Sequence, residues 1–521
     1  MSTSNWISRK VGNLMPGKTA GKKAAEKAAE KATQTAHDSS EAAAPADLPK
    51  PQPANAQAAA PGPAAAPAVT GSRRSPRSTT ERMKATFRQD DEALSPRELR
   101  HKLAELQAVV DNQVSEVEGG RRARLLALWY TAATPEQRHD LWLLMSEQFV
   151  ADPQVIQQAQ AEFDAAQGTP DQAVAEVNFR RATVSRRRRL LQRFSAFAEG
   201  IRFLVDLRAE MLPALKSDKR LQALDVEMEY MFSTWFDVGF LDLRRISWNS
   251  PASLIEKLIK YESVHDIKSW ADMKNRLDSD RRCYGFFHPS LPNEPLIFVE
   301  VALVDAIASS ITPLLDESAD AVNLNKATTA IFYSISNTQG GLRGVSFGDS
   351  LIKHVVDVLK AEFPHLKTFA TLSPIPGFRA WLGKNVAAMM TRLDEKARTE
   401  IKQALHSNAE LTAQLLTDSQ KSQVLDVKSP VGRFLMQCAA HYLSREMADG
   451  KPIDPVARFH LGNGARIERL NWGADPSIKG MKQSCGMMVN YLYDLKRLDK
   501  HRTQLAQGKI PVSREIESLK F

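Results

Sequence analysis

The sequence is poor in cysteine and in long apolar runs. Its 3 cysteines, Cys283, Cys438 and Cys485, form no C-x-x-C pair. This argues against a disulfide framework and against a cysteine-based zinc site. No stretch reaches the roughly 18 uninterrupted apolar residues that a membrane-spanning helix needs, and the apolar run at 125–133 is far shorter. We therefore expect a soluble protein of a reducing compartment, without membrane association.

Net positive charge is concentrated in the N-terminal segment. Residues 1–90 hold 14 Lys and Arg against 7 Asp and Glu, so the other 431 residues carry only +2 of the net charge of +9. Nucleic-acid binding depends on basic residues that neutralise phosphates. The nearly neutral body therefore argues against a nucleic-acid partner, and a basic-tailed nucleic-acid-binding or scaffold protein is a distant alternative.

Residues 1–91 are dominated by Ala, Pro, Lys, Ser and Thr. Such a composition offers too little apolar variety to offset the entropy of ordering, so we predict a disordered tail. A mitochondrial presequence is the alternative, although Arg is scarce and Glu26 and Glu30 interrupt the pattern. We expect a cytoplasmic protein, or a mitochondrial one if the tail is a presequence.

Helix signals dominate residues 92–233. Ser95-Pro96-Arg97-Glu98 is a capping box with proline at the first helical position, and Thr134-Pro135-Glu136-Gln137 repeats this start signal. Strand signals are almost absent, which predicts a helical bundle domain. The Arg186–Arg189 run within it is interpreted as a solvated helix face or a subunit contact, with a phosphate-binding patch as the alternative.

The pattern changes after residue 233. Strand-like runs at 283–287, 296–304, 327–336 and 366–373 alternate with helical stretches, which predicts an α+β domain over 234–521. Residues 456–460 and 465–472 are interpreted as a hairpin around Gly462-Asn463-Gly464. A final helix is predicted over 484–498.

A glycine-rich turn follows the strand predicted at 327–336. Strand, turn and helix in this order expose backbone N–H groups that can bind a diphosphate. The turn is similar to the Q/R-x-x-G-x-G/A pattern with which acetyltransferases bind the pyrophosphate of coenzyme A. It departs from that pattern at Leu342, which stands where the first glycine is expected. A tight connection that needs glycine only for its geometry is the alternative. The candidate CoA-binding residues are Gln339, Gly340, Gly341, Leu342, Arg343 and Gly344.

Two further residues are candidates for chemistry. Ser373 ends a predicted strand directly before Pro374, at the kind of sheet edge that binds ligands. His460 ends another predicted strand. Each has an ordinary structural alternative: a turn serine bonded to its neighbours, and a buried histidine bonded to a carbonyl. No metal-ligand spacing such as H-E-x-x-H occurs, and Ser373 does not sit in a G-x-S-x-G elbow, so neither a metalloenzyme nor an ordinary serine hydrolase is indicated.

Several short segments resemble the malonyl-CoA decarboxylase family, and they occur in the family's order over about residues 235–500. The matching segments are Arg281-Arg282-Cys283-Tyr284, His288-Pro289-Ser290, Ala330-Ile331-Phe332-Tyr333-Ser334-Ile335-Ser336, Phe363-Pro364-His365-Leu366, Leu372-Ser373-Pro374-Ile375-Pro376-Gly377-Phe378, Asn463-Gly464-Ala465, Ser484-Cys485-Gly486-Met487-Met488 and Asn490-Tyr491-Leu492-Tyr493.

The resemblance implies a helical domain followed by a domain similar to the GCN5-type acetyltransferases. It implies catalytic roles for Ser373 and His460, a substrate pocket that includes Ser334 and Tyr493, and a homotetramer. It also implies that malonyl-CoA is decarboxylated to acetyl-CoA without a metal or organic cofactor, because the thioester carbonyl is itself the electron sink. Some relatives carry glutamate where this chain has Ser346, so a role for that carboxylate is in doubt here.

The main functional alternative is an acyl-CoA-dependent acyltransferase, because it shares the expected catalytic fold. A transferase needs an acceptor amine, whereas a decarboxylase releases carbon dioxide from malonyl-CoA alone.

Overall fold

The computed structural model describes residues 76–89, 92–345, 351–405 and 426–521. Most of the predicted tail and Ser346 lie outside the described residues. The chain forms an all-helical region followed by a domain built on a mixed sheet, which confirms the predicted α+β fold class.

The first region is helical throughout its described residues. Its helices are α1 (Thr79–Lys84), α2 (Pro96–Val109), α3 (Glu116–Ala132), α4 (Pro135–Glu147), α5 (Pro153–Ala165), α6 (Gln172–Ala182), α7 (Arg186–Ser195), α8 (Gly200–Met211) and α9 (Gln222–Trp235). Both predicted capping boxes are present: Ser95 and Thr134 accept from the backbone N–H of Glu98 and Gln137, whose side chains accept from the cap N–H in return.

Helix α1 corrects one part of the tail prediction. Residues 76–89 lie within the segment predicted as disordered, yet Ser78 and Glu81 form a capping box at the start of α1. The buried Arg82 guanidinium donates to the Asp140 carboxylate of α4 at 2.8 Å. A specific buried ion pair therefore holds a segment whose average composition favours disorder.

The arginine run Arg186–Arg189 forms the first turn of α7 and is engaged within the helical region. Arg187 donates to the Ser146 carbonyl at 2.6 Å, and Arg188 donates to the Glu227 carboxylate at 2.8 Å. Arg189 donates to Asn112. These contacts favour the structural interpretation of the run over a phosphate-binding patch.

The second region contains the sheet. Its strands are β1 (Asp242–Ile246), β2 (Arg281–His288), β3 (Leu291–Val304), β4 (Thr329–Asn337), β5 (Thr368–Thr371), β6 (Ser373–Pro374), β7 (Met447–Ala448), β8 (Lys451–Pro452), β9 (Arg466–Asn471) and β10 (Met488–Leu492). Its described helices are α10 (Ala252–Tyr261), α11 (Trp270–Arg276), α12 (Leu351–Glu362), α13 (Phe378–Met390), α14 (Glu395–Ala404), α15 (Pro430–Arg445), α16 (Pro455–Gly462), α17 (Ile478–Ser484), α18 (Leu498–Ala506) and α19 (Arg514–Ser518).

The large sheet has the order β1-β2-β3-β4-β5-β10, and β10 also pairs with β6 and β9. β4 and β5 run parallel, whereas the other pairs in this sheet are antiparallel. Apolar side chains such as Phe332 and Tyr491 are buried in the main core together with residues of the helical region. The parallel pair lies at the centre of the sheet, where both of its strands are covered.

Two predicted elements near the C-terminus are wrong. Residues 456–460 form part of helix α16, because Asp454 caps it and Ala457, His460 and Leu461 are buried at helical spacing. Gly462-Asn463-Gly464 is therefore the end of a helix and not a hairpin turn.

The final helix predicted over 484–498 is instead the end of α17, strand β10 and the start of α18. Cys485 and Gly486 both adopt positive φ, at 55° and 75°, which ends α17. The apolar run that follows is a buried strand, and a short apolar run does not distinguish a buried strand from a helix.

Candidate functional site

The candidate site lies where the two parallel strands separate. β5 pairs with β4 from Thr329↔Thr368 to Phe332↔Thr371, and Leu372 N–H then donates to the Phe332 carbonyl at 3.0 Å. β4 continues to Asn337 alongside β3. The carboxyl ends of separating parallel strands are where open sheets bind ligands. Ser373 follows directly at this point.

His460 reaches Ser373 from helix α16. The Asp454 carboxylate caps this helix by accepting from the N–H groups of Val456 and Ala457, both at 3.0 Å. His460 Nε2 lies 3.1 Å from Ser373 Oγ, and both side chains are buried. The structure therefore brings together two predicted catalytic residues that are 87 positions apart in the sequence.

Two tyrosines of the β10 segment hold the imidazole. Tyr493 Oη lies 2.7 Å from His460 Nδ1. The ring of Tyr491 stacks on the imidazole with centroids 4.6 Å apart and an interplanar angle of 27°. Tyr493, a predicted pocket residue, is thus in direct contact with His460, whereas the contact of Tyr491 was not predicted.

Burial sets the protonation state of this group. It lowers the pKa of His460 to about 3 and raises the pKa of the Tyr493 phenol, so the imidazole is neutral and the phenol protonated at neutral pH. Because the Ser373 hydroxyl donates to Thr371 Oγ1, it can only accept from His460, which places the imidazole proton on Nε2 and leaves Nδ1 to accept from the Tyr493 O–H. The Nε2–H group therefore faces Ser373 Oγ.

Thr371 completes the chain of hydrogen bonds. Ser373 donates its hydroxyl hydrogen to Thr371 Oγ1 at 2.9 Å, and the Tyr491 N–H donates to the same oxygen at 3.1 Å. With Nε2–H donating to Ser373, the hydroxyl of Ser373 is free to donate onward in this direction. The chain runs from Tyr493 through His460 and Ser373 to Thr371, so each polar group has a defined direction.

A cavity of about 480 Å³ adjoins this group. Its size lies in the range of small-molecule sites. Helix α16 contributes Arg458, Phe459 and Gly462 to the lining, and β4 contributes Asn337. His460 lies beside Phe459 on the same helix, but neither His460 nor Ser373 is part of the lining. The cavity therefore borders the same helix that carries His460 and does not include the Ser373–His460 pair itself.

The glycine-rich turn forms another wall of the cavity. Gln339, Gly340, Leu342, Arg343 and Gly344 line it, and Gly341 does not. The turn is a short 3-10 helix at Gly340–Leu342, and Gly344 adopts a positive φ of 85° that favours glycine. Two exposed cations, Arg343 and Arg458, lie on this lining. A polyanionic group such as a diphosphate fits these residues electrostatically.

Ser334 lies in a different polar cluster from Ser373. Its hydroxyl lies 2.8 Å from both carboxylate oxygens of Glu262, which also accepts from the N–H groups of Val264 and His265. Ser336 donates to the same carboxylate at 3.2 Å. The structure therefore gives Ser334 a buried carboxylate partner that was not predicted.

A buried ion pair lies next to this cluster. Arg276 donates to Glu300 at 3.1 Å and to Asp272 at 2.8 Å, and all three side chains are buried. Burial, reinforced by the charge of Glu262, raises the pKa of Glu300 to about 8. Because Asp272 also balances Arg276, the guanidinium stays charged when Glu300 is protonated.

In the part of the chain that the structure describes, no three His, Cys, Asp or Glu side chains are grouped so that they could hold a metal ion. None of the helices in the described ranges combines the length and apolar character needed to cross a membrane.

Two family models match the chain in tandem. The model described as "Malonyl-CoA decarboxylase N-terminal domain" matches residues 149–236, and the one described as "Malonyl-CoA decarboxylase C-terminal domain" matches residues 239–520. The two matches meet close to residue 233, where the sequence pattern changes from helical to mixed.

Individual relatives agree with the family models. The "Malonyl-CoA decarboxylase, mitochondrial" of Rattus norvegicus is 37% identical over 421 residues, covering 77% of this chain and 85% of the relative. The crystal structure of malonyl-CoA decarboxylase from Rhodopseudomonas palustris is 39% identical, with a TM-score of 0.71, covering 81% of this chain and 99% of that one. The enzyme of the same name from Cupriavidus metallidurans is 42% identical, with a TM-score of 0.64, covering 81% and 100%.

Proposed function

Because the chain belongs to the malonyl-CoA decarboxylase family, we propose that it is a carboxy-lyase that converts malonyl-CoA to acetyl-CoA and carbon dioxide. The observation that carries the proposal is the contact of Ser373 with His460 next to a cavity lined by the glycine-rich turn. The names of the relatives indicate malonyl-CoA as the substrate, and the two residues in contact suit the chemistry of its decarboxylation.

The reaction needs few protein groups. The bond between the α-carbon and the carboxylate breaks, carbon dioxide leaves, and the electron pair of the bond forms an enolate whose charge rests on the thioester oxygen. A proton then adds to the α-carbon. The protein must therefore orient the carboxylate, donate a hydrogen bond to the developing oxyanion and allow protonation. No cofactor is required for these steps, and we propose that none is used.

The neutral His460 suits the role of oxyanion donor. Its Nε2–H, which donates to Ser373 Oγ without substrate, turns to the thioester oxygen when substrate binds, and Tyr493 keeps the proton on Nε2 by donating to Nδ1. A preorganised donor aimed at a developing oxyanion is typically worth about 2.7–4 kcal/mol. Ser373, on the other side of the hydrogen bond, then orients the malonyl end. The alternative role for His460 is to deliver the proton to the α-carbon.

The CoA moiety is assigned to the cavity. The N–H groups of Leu342 and Arg343 are bonded to carbonyls within the glycine-rich turn, so Gly340 and Gly344 are the lining glycines whose N–H groups we assign to the phosphates. Arg343 and Arg458 add positive charge. Helix α16 borders the cavity with Phe459 and carries His460 on its buried side. A thioester held in the cavity therefore lies near the imidazole.

The proposal is tested by incubating purified full-length protein with malonyl-CoA alone and measuring carbon dioxide and acetyl-CoA. We expect equal amounts of both products without an acceptor amine, and the same rate after dialysis against EDTA. An acyltransferase would require an acceptor, so product formation that depends on added amine would contradict the proposal. Loss of activity on dialysis would contradict a cofactor-free reaction.

Ser373→Ala and His460→Ala test the site. We expect each to lower kcat by about 10²-fold to 10⁴-fold, as for removal of a positioned catalytic group, with thermal unfolding close to that of the wild type. The double variant should lose little more than either single one, because the two residues act as a unit. Near-normal turnover of both single variants would remove them from the mechanism.

We also propose a homotetramer formed through the helical region. Support comes from α5 and α6, which bury only Ala159 and Ala175 and leave Val155, Val174 and Val177 exposed. Light scattering on wild type and Val174→Lys tests this: a tetramer that dissociates in the variant supports the proposed surface, and a monomeric wild type contradicts it.

The proposed compartment is the cytoplasm. The alternative is a mitochondrial location, which is supported by the name of the rat relative, a mitochondrial malonyl-CoA decarboxylase. Fractionation of cells that express the full chain distinguishes the two, because a presequence would direct the protein to the mitochondrial fraction.

A further inference from the structure

One buried arginine connects the helical region to the glycine-rich turn. Arg208 lies on α8 and is only 1% exposed. Its guanidinium donates to the carbonyl oxygens of Gly341 at 2.7 Å and of Arg343 at 2.8 Å. It also donates to the Asp225 carboxylate of α9 at 2.7 Å. A side chain of the first region thus holds two carbonyl groups of the glycine-rich turn, those on either side of Leu342.

The backbones of the two regions fit closely at this point. A Cβ atom on Gly341 would lie 1.9 Å from the Val205 carbonyl oxygen of α8, so only glycine allows this approach. Arg202, nearly two turns before Arg208 on α8, donates to the Gln339 side chain at 3.1 Å. Helix α8 therefore sets the position of the whole turn and not of one carbonyl alone.

The orientation of the turn has an electrostatic consequence. A trans peptide points its N–H opposite to its C=O. Because Arg208 binds the Arg343 carbonyl, the N–H of Gly344 points away from Arg208. The guanidinium is itself paired with Asp225 at 2.7 Å and with Glu229 at 3.5 Å, so its effect at the turn is to hold the two carbonyl oxygens away from an anion and not to add positive charge. The contact thus favours a phosphate group at the cavity wall.

We propose that Arg208 is a positioning residue for the diphosphate of the CoA substrate, so that the helical region forms part of the substrate-binding site. This inference rests on the proposed function, because it assigns the CoA moiety to the glycine-rich turn. Arg208 does not touch the substrate itself; it acts by holding the Gly341 and Arg343 carbonyls.

The test compares two substrates in steady-state kinetics of the full-length chain. Malonyl-CoA carries the diphosphate, and malonyl-pantetheine lacks it. Arg208→Met should raise KM for malonyl-CoA by about 10-fold or more, the loss expected for hydrogen bonds that involve a charged group, while kcat falls by less than about 3-fold. The kcat/KM for malonyl-pantetheine should stay at the wild-type value.

Two further variants bracket the effect. Arg208→Lys keeps the charge but cannot hold both carbonyls and Asp225 in the same geometry, so an intermediate KM is expected. Arg138→Met is the matched control, because Arg138 pairs with Glu210 of α8 and does not contact the turn. Its KM for malonyl-CoA should equal that of the wild type.

Binding of CoA itself, measured by calorimetry, separates this inference from the proposed reaction. A weaker Kd in Arg208→Met than in Arg138→Met supports the positioning role even if wild-type turnover is absent. If Arg208→Met does not fold, Asp225→Asn, which removes one anchor of the guanidinium, should raise the Kd for CoA in the same direction. An unchanged Kd in the folded variant, or an equal loss of kcat/KM for both substrates, overturns the proposal.

Discussion

The phenolic oxygen of Tyr493 lies 2.7 Å from Nδ1 of His460, on the side of the imidazole opposite to Ser373. The contact joins residues that are 33 positions apart, one on helix α16 and one just after strand β10. Because both groups are buried and the imidazole is neutral, this hydrogen bond decides which nitrogen carries the proton. It therefore decides whether His460 offers Ser373 and the substrate a donor or an acceptor.

The first prediction concerns that hydrogen bond. Tyr493→Phe removes the donor to Nδ1 and leaves both tautomers of His460 accessible. We expect kcat to fall by about 10-fold to 100-fold with little change in KM, because one hydrogen bond that supports the donor to the charged oxyanion is lost. Tyr491→Phe is the control. Its hydroxyl has no hydrogen-bond partner, and the phenylalanine ring still stacks on His460, so turnover should stay within about 2-fold of wild type. Equal losses in the two variants would contradict a role for the Tyr493 hydroxyl.

A second prediction concerns Thr371, which accepts the Ser373 hydroxyl hydrogen. Thr371→Val keeps the shape of the side chain but removes the acceptor for Ser373 and for the Tyr491 N–H. We expect kcat to fall by about 10-fold, because one buried hydrogen-bond acceptor is lost. Thr371→Ser retains the oxygen and should restore most of the rate. If the serine variant is as slow as the valine variant, packing of the methyl group is the cause and not the hydrogen bond.

The pH dependence of stability follows from the buried His460. Its pKa is about 3 in the folded protein and 6.5 as the reference value, so the unfolded chain binds the extra proton first as the pH falls. The stability contribution is complete above pH 6.5 and is lost progressively between pH 6.5 and 3, at up to about 1.4 kcal/mol per pH unit. His460→Gln lacks this titrating group and its contribution to the pH dependence of stability. Denaturant unfolding between pH 6.5 and 5 should show a steeper decline for wild type than for the variant, and parallel declines would contradict a buried neutral imidazole.

Two neighbouring glycines of the glycine-rich turn, Gly341 and Gly340, allow a variant and its control to be compared. Gly341→Ala places a Cβ 1.9 Å from the Val205 carbonyl oxygen, so the turn must move away from α8 and KM for malonyl-CoA should rise by an amount comparable to that of Arg208→Met. At Gly340, the nearest atom to an added Cβ is 3.8 Å away, which is ordinary contact. Gly340→Ala should therefore leave KM close to wild type. A large effect at Gly340 and none at Gly341 would contradict the described packing.

Helix starts could be predicted well because their signals are local. Ser95 and Thr134 each satisfy an orphan N–H within three residues, so the sequence around them is sufficient. The same start signal is present at Asp454-Pro455. However, successive residues of 456–461 would lie on opposite faces of a strand, and this pattern led to the wrong prediction of a strand. The cap and proline outweigh that alternation, since Ala457, His460 and Leu461 bury one helical face.

The site could be predicted only in part. Family resemblance identified Ser373, His460 and Tyr493, and the structure brings these three together. Thr371, Glu262 and Arg208 were missed for a physical reason: each has an ordinary place in a strand or helix, and its partners are distant in the chain. Arg208, for example, is 133 positions from the Gly341 carbonyl that it holds. No local pattern marks such a contact.

Helix α16 has only 8 residues, a length of about 12 Å. Phe459 on one side forms part of the cavity wall, and His460 on the other side contacts Ser373 and Tyr493. A displacement of the helix itself therefore moves both side chains together. We expect a compound that displaces α16 through Phe459 to disturb the contact of His460 with Ser373 without imitating the malonyl group.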